Sequence, residues 1–323
     1  MSEKLPLNLS NQLVLPVINA PMFLVSSPDM VIESCKNGIV GTFPLLNART
    51  TELLENWMIR ISEELTQAQQ TDPSAKIAPW GVNVIVHRTN KRFEDDMELI
   101  KKYEPPIVIT SLGNPSDVTK IVHAYGGLVF SDVISLDHAR KAAKTGIDGL
   151  ILVCSGAGGH GGTLNPFAFL KAVKEFWEGI TVLAGAISTG EEILAAKILG
   201  ADLVYMGTRF IATEESSASE AYRQMLIEST LEDLIYTDAI SGIKGNYLLP
   251  SLQKAGIDIE QLNKKEVDLS FSESKAKAWK DIWSAGQGVG NIKKVSTVKE
   301  IVEELTKEYK QALTSKEDFS MNK

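Results

Sequence analysis

The sequence predicts an α/β fold, a (β/α)8 TIM barrel with a mostly helical segment over its C-terminal mouth. Three observations predict it. Eight short apolar or β-branched runs recur over about 210 residues with amphipathic stretches between them, the alternation that parallel strands and crossover helices produce. The runs are apolar almost throughout, as strands covered on both faces must be. After the first run stands INAPMFLVSS, where a doubly wound open sheet would carry its glycine-rich fingerprint.

In chain order the strands are LVLPVINA (13–20), GIVGTF (38–43), APWGVNV (78–84), PIVIT (106–110), GLVFSD (127–132), GLILVCS (149–155), ITVLAGA (180–186) and DLVYMGT (202–208). Amphipathic stretches at 28–37, 51–70, 116–124, 136–145, 166–177 and 189–199 are expected to be helices. Past Arg209-Phe210-Ile211 the pattern turns polar and mostly helical, broken by SGIKGNYLLP, until a last helix expected at about 297–314 and a solvated tail, SKEDFSMNK. The expected division is therefore a barrel built from residues 1–213 and about 291–323, with about 214–290 as a helical insertion covering the mouth.

Composition narrows the function. A chain of 323 residues with 44% hydrophobic and 23% charged residues is long enough for one large barrel. The net charge of −8 argues against nucleic acid and anionic membrane surfaces, which reward a basic face. No apolar run approaches the roughly 18 residues of a membrane span, and MSEKLPLNLSNQ lacks a signal-peptide pattern, so a cytoplasmic location is expected. The two cysteines, Cys35 and Cys154, stand apart from any zinc-like spacing, and no metal site is expected. Monomer and homodimer both remain open.

In a barrel the working groups gather where strands end. Strands seven and eight end in small residues around Gly185 and Gly207, followed by Ser188/Thr189 and Thr208, which would leave backbone N–H groups bare for a phosphate. Strand six runs into CSGAGGHGG, in which five glycines let the backbone approach a flat ligand and leave His160 as the one group able to donate, accept or polarise. Asn83 either caps or bonds a ring edge. Asp132 either holds a hydroxyl or balances Arg140 or Lys141. Cys154 sits at an apolar strand end, which raises a thiol's pKa and disfavours a nucleophile. His87, His123 and His138 lack a comparable setting.

Taken in order, NAPM, GVN (81–83), GAGGHGG (156–162), AGAIS (184–188), MGTRF (206–210) and AGQGVG (285–290) resemble the nitronate monooxygenases, formerly 2-nitropropane dioxygenases. The resemblance runs nearly from end to end. It implies an FMN-dependent barrel enzyme that oxidises alkyl nitronates with O2 to a carbonyl compound and nitrite. It also implies that the backbone of Pro21, Met22 and Phe23 lies against the flavin, that Asn83 bonds the pyrimidine side, and that Gly185, Gly207 and Thr208 hold the phosphate. Asp132, Gly158, Gly159 and Ala186 complete the expected cofactor contacts. His160 faces the substrate as its polar partner or base, with Ser155 on the substrate side and Gln287 in a motif closing over the site. This chain has Ser155-Gly156-Ala157 where well-known members have glutamate-alanine before GGH, and Asp132 where they have lysine or threonine.

The same motifs also resemble FMN-dependent NAD(P)H reductases of this superfamily, the enoyl-acyl-carrier-protein and NADH:quinone reductases, which form the alternative reading. A non-catalytic barrel that binds a phosphate ligand is a third.

Overall fold

The structure is a computed structural model that describes residues 4–240, 242–257 and 282–321. Eight parallel strands, β1 (Val17–Asn19), β2 (Val40–Pro44), β3 (Trp80–Ile85), β4 (Ile107–Ser111), β5 (Leu128–Val133), β6 (Gly149–Val153), β8 (Ile180–Ala184) and β9 (Leu203–Met206), close into a barrel. Closure is made by β1 on β9, with Ile18 opposite Tyr205 and Asn19 opposite Met206. β7 (Gly159–His160) lies outside the barrel. All eight predicted strands are present, a few residues shorter than their apolar runs because the ends of those runs turn into loops.

Alternation along each strand explains the two cores. In β6, Ile151 points into the barrel with Ile18, Val40, Ile109, Phe130 and Val182, while Leu150 and Leu152 point out towards the helices. Leu5, Leu9 and Leu13, around the short helix α1 (Leu7–Ser10), join the inner cluster and cap its N-terminal end.

The outer layer comprises α2 (Pro28–Lys36), α3 (Thr51–Thr71), α4 (Phe93–Tyr103), α5 (Ser116–Ala124), α6 (Leu136–Ala142), α7 (Pro166–Val173), α8 (Gly190–Leu199) and α9 (Thr208–Ile211). Local signals set their ends. Ser27 caps α2 by accepting from Met30 N, with Pro28 at the first helical position, where its missing N–H costs nothing. Thr189 and Glu192 form a reciprocal capping box on α8, which stops at left-handed Gly200. Helix α4 was not anticipated from the sequence. Its acidic start, Glu94-Asp95-Asp96, hides a narrow apolar stripe of Met97, Leu99 and Ile100.

The segment expected to be mostly helical contains α10 (Glu220–Glu228) and α11 (Leu249–Lys254), and it also carries two unanticipated strands, β10 (Leu234–Thr237) and β11 (Gly245–Leu248). These pair antiparallel, and β11 pairs in turn with β7. The part of the segment from 258 to 281 lies outside the described residues. Where the segment leaves and rejoins the barrel, Thr213 and Ser296 form a parallel bridge, with Glu214 N donating to Ser296 O at 3.0 Å and Ser296 N to Ala212 O at 3.2 Å. The final helix α12 (Val298–Met321) is longer than expected and packs on α8 and α2.

Candidate active site

A cavity of about 1570 Å³ opens at the C-terminal ends of the strands. Small-molecule sites usually occupy roughly 300–1,000 Å³, so this one has room for a cofactor and a substrate together. Pro21, Met22, Phe23, Asn83, Asp132, Gly158, Gly159, His160, Gly185, Ala186, Gly207 and Thr208 all line it. Two expected residues do not. Ser155 lies outside the lining, its N–H donating to Leu164 O at 2.9 Å, and Gln287 backs the glycine loop, its N–H donating to Gly156 O at 2.8 Å.

On the β8–β9 side the wall is backbone. Gly185 (φ +119°) and Ala186 (φ +57°) both adopt left-handed conformations after β8, the second at a steric cost that only a fixed loop sustains. A Cβ at Gly185 would lie 2.8 Å from Ser155 O. Among the described residues no protein acceptor meets the N–H groups of Gly185, Ala186, Gly207 or Thr208. The N-terminus of α8, expected to be bare, is not. Glu192 accepts from Ser188 N at 2.6 Å and Thr189 N at 3.0 Å, and Glu308 accepts from Gly190 N at 2.7 Å. Nor does Arg209 face the cavity, since it is buried against Glu304 at 2.6 Å. An anion here would meet N–H dipoles and the Thr208 hydroxyl, without a cationic side chain.

Across the barrel, β3, β4 and β5 present a polar relay. Asn83 Nδ2 donates to Ser111 Oγ at 2.7 Å, and Ser111 Oγ donates to Asp132 Oδ2 at 2.6 Å. Asp132 Oδ1 is buried without a partner, and burial pushes the carboxyl up to about 6, with the Ser111 hydrogen bond opposing. The choice between a hydroxyl and a nearby cation is thereby resolved. Asp132 holds the Ser111 hydroxyl, while Arg140 stacks on Phe176 and Lys141 pairs with Asp137 at 2.6 Å. Ser111 escaped the sequence reading because a serine at a strand end resembles any loop residue.

The loop after β1 is fixed from beneath. Asn47 Nδ2 donates to Met22 O at 3.0 Å and to Ser26 O at 2.9 Å, Asn47 Oδ1 accepts from Leu24 N at 2.9 Å, and Met22 N donates to Ser26 Oγ at 2.9 Å. The polar backbone groups of Met22 are thus spent internally. What the loop offers a flat ligand is apolar surface.

The glycine loop is gripped by protein. A Cβ at Gly158 would fall 2.7 Å from Gly286 N, and one at Gly162 2.4 Å from Val153 O, whereas one at Gly159 meets nothing. Several of these glycines therefore serve close protein packing as well as the cavity wall. Asn246 Nδ2 and Tyr236 Oη donate to Ala157 O and Gly161 O, each at 2.7 Å, and β11 pairs Gly245 with His160 and Asn246 with Gly159. His160 faces the cavity space between these walls, and desolvation by them lowers its pKa below 6.5. The shift favours the neutral imidazole at pH 7, in which one ring nitrogen donates and the other accepts.

Comparison with known proteins now adds to this geometry. The family model described as nitronate monooxygenase matches residues 9–308. The chain belongs to the nitronate monooxygenase family. Family membership makes it an oxidoreductase. A protein named nitronate monooxygenase from Paraburkholderia phytofirmans is 25% identical over 94% of this chain and 95% of its own. Among solved structures, FabK from Thermotoga maritima superposes with a TM-score of 0.80 at 23% identity, covering 98% of this chain and 99% of that one. A nitroalkane oxidase from Streptomyces ansochromogenes gives 0.75 at 22% identity over 95% and 99%. Both share the fold. Among the described residues no cluster of His, Cys, Asp and Glu could hold a metal ion, and no helix is long and apolar enough to cross a membrane.

Two features of the cavity fit a flavin mononucleotide. The bare N–H groups after β8 and β9 suit a phosphate, and the unpartnered Asp132 Oδ1 suits a polar ring edge lying across the barrel from it.

Proposed function

We propose that this protein is an FMN-dependent enzyme that oxidises alkyl nitronates with dioxygen, releasing a carbonyl compound and nitrite. The observation that carries the reading is the spacing of complementary groups around one cavity, with phosphate donors at β8–β9, a polar ring-edge site at β3–β5 and His160 on the loop between β6 and β8. Gly185, Ala186, Gly207 and Thr208 would hold the phosphate, Asn83 and Asp132 the pyrimidine edge, and the Pro21–Phe23 turn an apolar face of the ring. When bound, FMN supplies the electron relay between the donor and dioxygen.

The residues of the chain do the rest. The neutral His160 imidazole donates its N–H to an anionic nitro oxygen, orienting the donor carbon towards the ring, and its lone pair can take the α-proton of a nitroalkane. The turn held by Asn47 and the side chains of Phe23 and Leu24 keep water from the ring face. A net charge of −8 does not help capture an anion, so binding depends on these local dipoles.

The test is a visible spectrum of the purified protein, followed by anaerobic addition of propyl-2-nitronate and of NADH in separate cuvettes. Bleaching by the nitronate alone supports the proposal. Bleaching by NADH alone moves the enzyme to the reductase reading, and the absence of flavin absorbance removes both.

A further inference from the structure

The relay on β3, β4 and β5 does something that a plain hydrogen-bonding site does not. Ser111 Oγ accepts from Asn83 Nδ2, so its own proton is directed at Asp132 Oδ2. Oδ2 is therefore the carbonyl-like oxygen of the carboxyl. Any proton carried by Asp132 sits on Oδ1, the atom that has no protein partner, in a residue lining the cavity.

We infer that Asp132 is the proton store of the bound ring. When two electrons and one proton enter the ring, leaving it with a single negative charge, the carboxylate takes a second proton from solvent on Oδ1. When the acceptor removes the electrons, the ring gives up its proton and the carboxyl returns the other to solvent. No bond to carbon forms or breaks at Asp132. The driving force is charge. A reduced, anionic ring beside a carboxylate would place two negative charges in one poorly solvated cavity, and protonating Oδ1 removes one of them. The inference rests on the FMN reading above.

The surroundings suit the role. Burial already brings the carboxyl up to about 6, within reach of physiological pH. Facing it from β9 is Tyr205, whose buried phenol is held far above its ordinary range, in part by Asp132 itself, and stays protonated. From β3 and β4 come only the neutral Asn83 and Ser111. The other titratable groups on the cavity wall are His87 after β3, His138, Lys141 and Lys144 in and after α6, His160 on the glycine loop, and Tyr222 of α10, whose phenol is held above its ordinary range by burial. The influences on Asp132 are desolvation and the Ser111 hydrogen bond, with no neighbouring cation among them.

The experiment is the two-electron midpoint potential of the FMN-loaded protein, followed by spectroelectrochemistry from pH 5 to 8 for the wild type, Asp132→Asn and Ser111→Ala. Each proton taken up with two electrons adds about 30 mV per pH unit. The wild-type slope is expected to steepen from about 30 to about 60 mV per pH unit above the carboxyl's titration, while Asp132→Asn stays on the shallower line. Ser111→Ala, lacking the hydrogen bond that favours the carboxylate, moves the break to higher pH. Ionisation of the ring itself bends the curve the opposite way, becoming shallower as pH rises, so the two causes are separable. Parallel lines for wild type and Asp132→Asn overturn the inference while leaving the FMN reading intact. If Asp132→Asn fails to retain FMN, a wild-type curve without steepening overturns the inference by itself. A protein that binds no FMN overturns both.

Discussion

Gly158→Ala is the most direct probe of why the histidine loop is built from glycine. A Cβ at this position would lie 2.7 Å from Gly286 N, 3.0 Å from Ala285 C and 3.1 Å from Thr208 Oγ1. Two of these three atoms are backbone, and they belong to the segment whose Gly286 N donates to Thr208 Oγ1 at 2.8 Å and whose Gln287 N donates to Gly156 O. The added methyl must push the loop away from that segment and disturb the Thr208 hydroxyl. Overpacking of this kind costs about 1–3 kcal/mol. In a chain of this size that corresponds to a fall in melting temperature of roughly 1.5 °C per kcal/mol. Gly161→Ala is the matched control, because its Cβ would find the nearest atoms at 3.4 Å and beyond, ordinary contact. Thermal unfolding followed by circular dichroism, with FMN content measured on the same samples, separates the two. Gly158→Ala should melt several degrees lower and retain less FMN than Gly161→Ala. Equal melting temperatures and equal FMN content would refute the claim that packing against residues 285–287 fixes this glycine.

Further outcomes follow from the same geometry. Asp132 has a folded pKa of about 6 against an ordinary 3.8, so its contribution to stability is complete below 3.8 and is lost as pH rises through 6. Asp132→Asn apoprotein should therefore gain on wild type by up to about 3 kcal/mol between pH 4 and pH 7.5 in denaturant titrations, and a pH-independent difference would count against the buried carboxyl. The pKa of His160 is lowered, so kcat/KM for a nitroalkane that needs deprotonation should be flat above pH 6.5 and fall only below it. An acid limb centred above 6.5 would contradict this. Tyr236→Phe removes the hydroxyl that donates to Gly161 O, at a cost of about 1 kcal/mol, and should raise KM measurably while lowering the melting temperature by only about 1.5 °C. Unchanged kinetics would show that the ribbon does not position the loop.

The barrel was legible in the sequence because a strand covered on both faces leaves an apolar run that nothing else of that length explains, as GLILV does before the glycine loop. Helix α4 was not, since FEDDMELIKKY shows five charges in its first nine residues and betrays its buried stripe only in three dimensions. The strands LIYT and GNYL escaped for a related reason. Each has four residues and depends on the other for its hydrogen bonds, and GNYL depends as well on Gly159–His160 far earlier in the chain. Within the site, glycines and the lone histidine announced themselves by composition. The Asn83–Ser111–Asp132 relay could not, because it is assembled from three strands whose members lie 28 and 21 residues apart. The internal capping of α8 by Glu192 was readable in the sequence as a Thr189–Glu192 box, and it should have warned that this helix end was already spoken for.

The bridge between Thr213 and Ser296 turns everything between them into an excursion with a fixed doorway. The two ends leave the barrel side by side whatever the excursion's length, and the cost of closing a longer loop grows only by about 0.6 kcal/mol per doubling, while β11 and residues 286–287 reach back to β7, Thr208 and Gly156. Residues inside the doorway, among them Tyr222, Ile243 and Trp283, supply part of the cavity wall, while the groups proposed to hold phosphate and ring edge all lie outside it. The excursion thus shapes the outer side of the cavity, while its residues 286 and 287 brace Thr208 and the glycine loop from behind. Grafting a different excursion between these two residues should re-tailor substrate range and keep the proposed cofactor site only where residues 285–287 are retained.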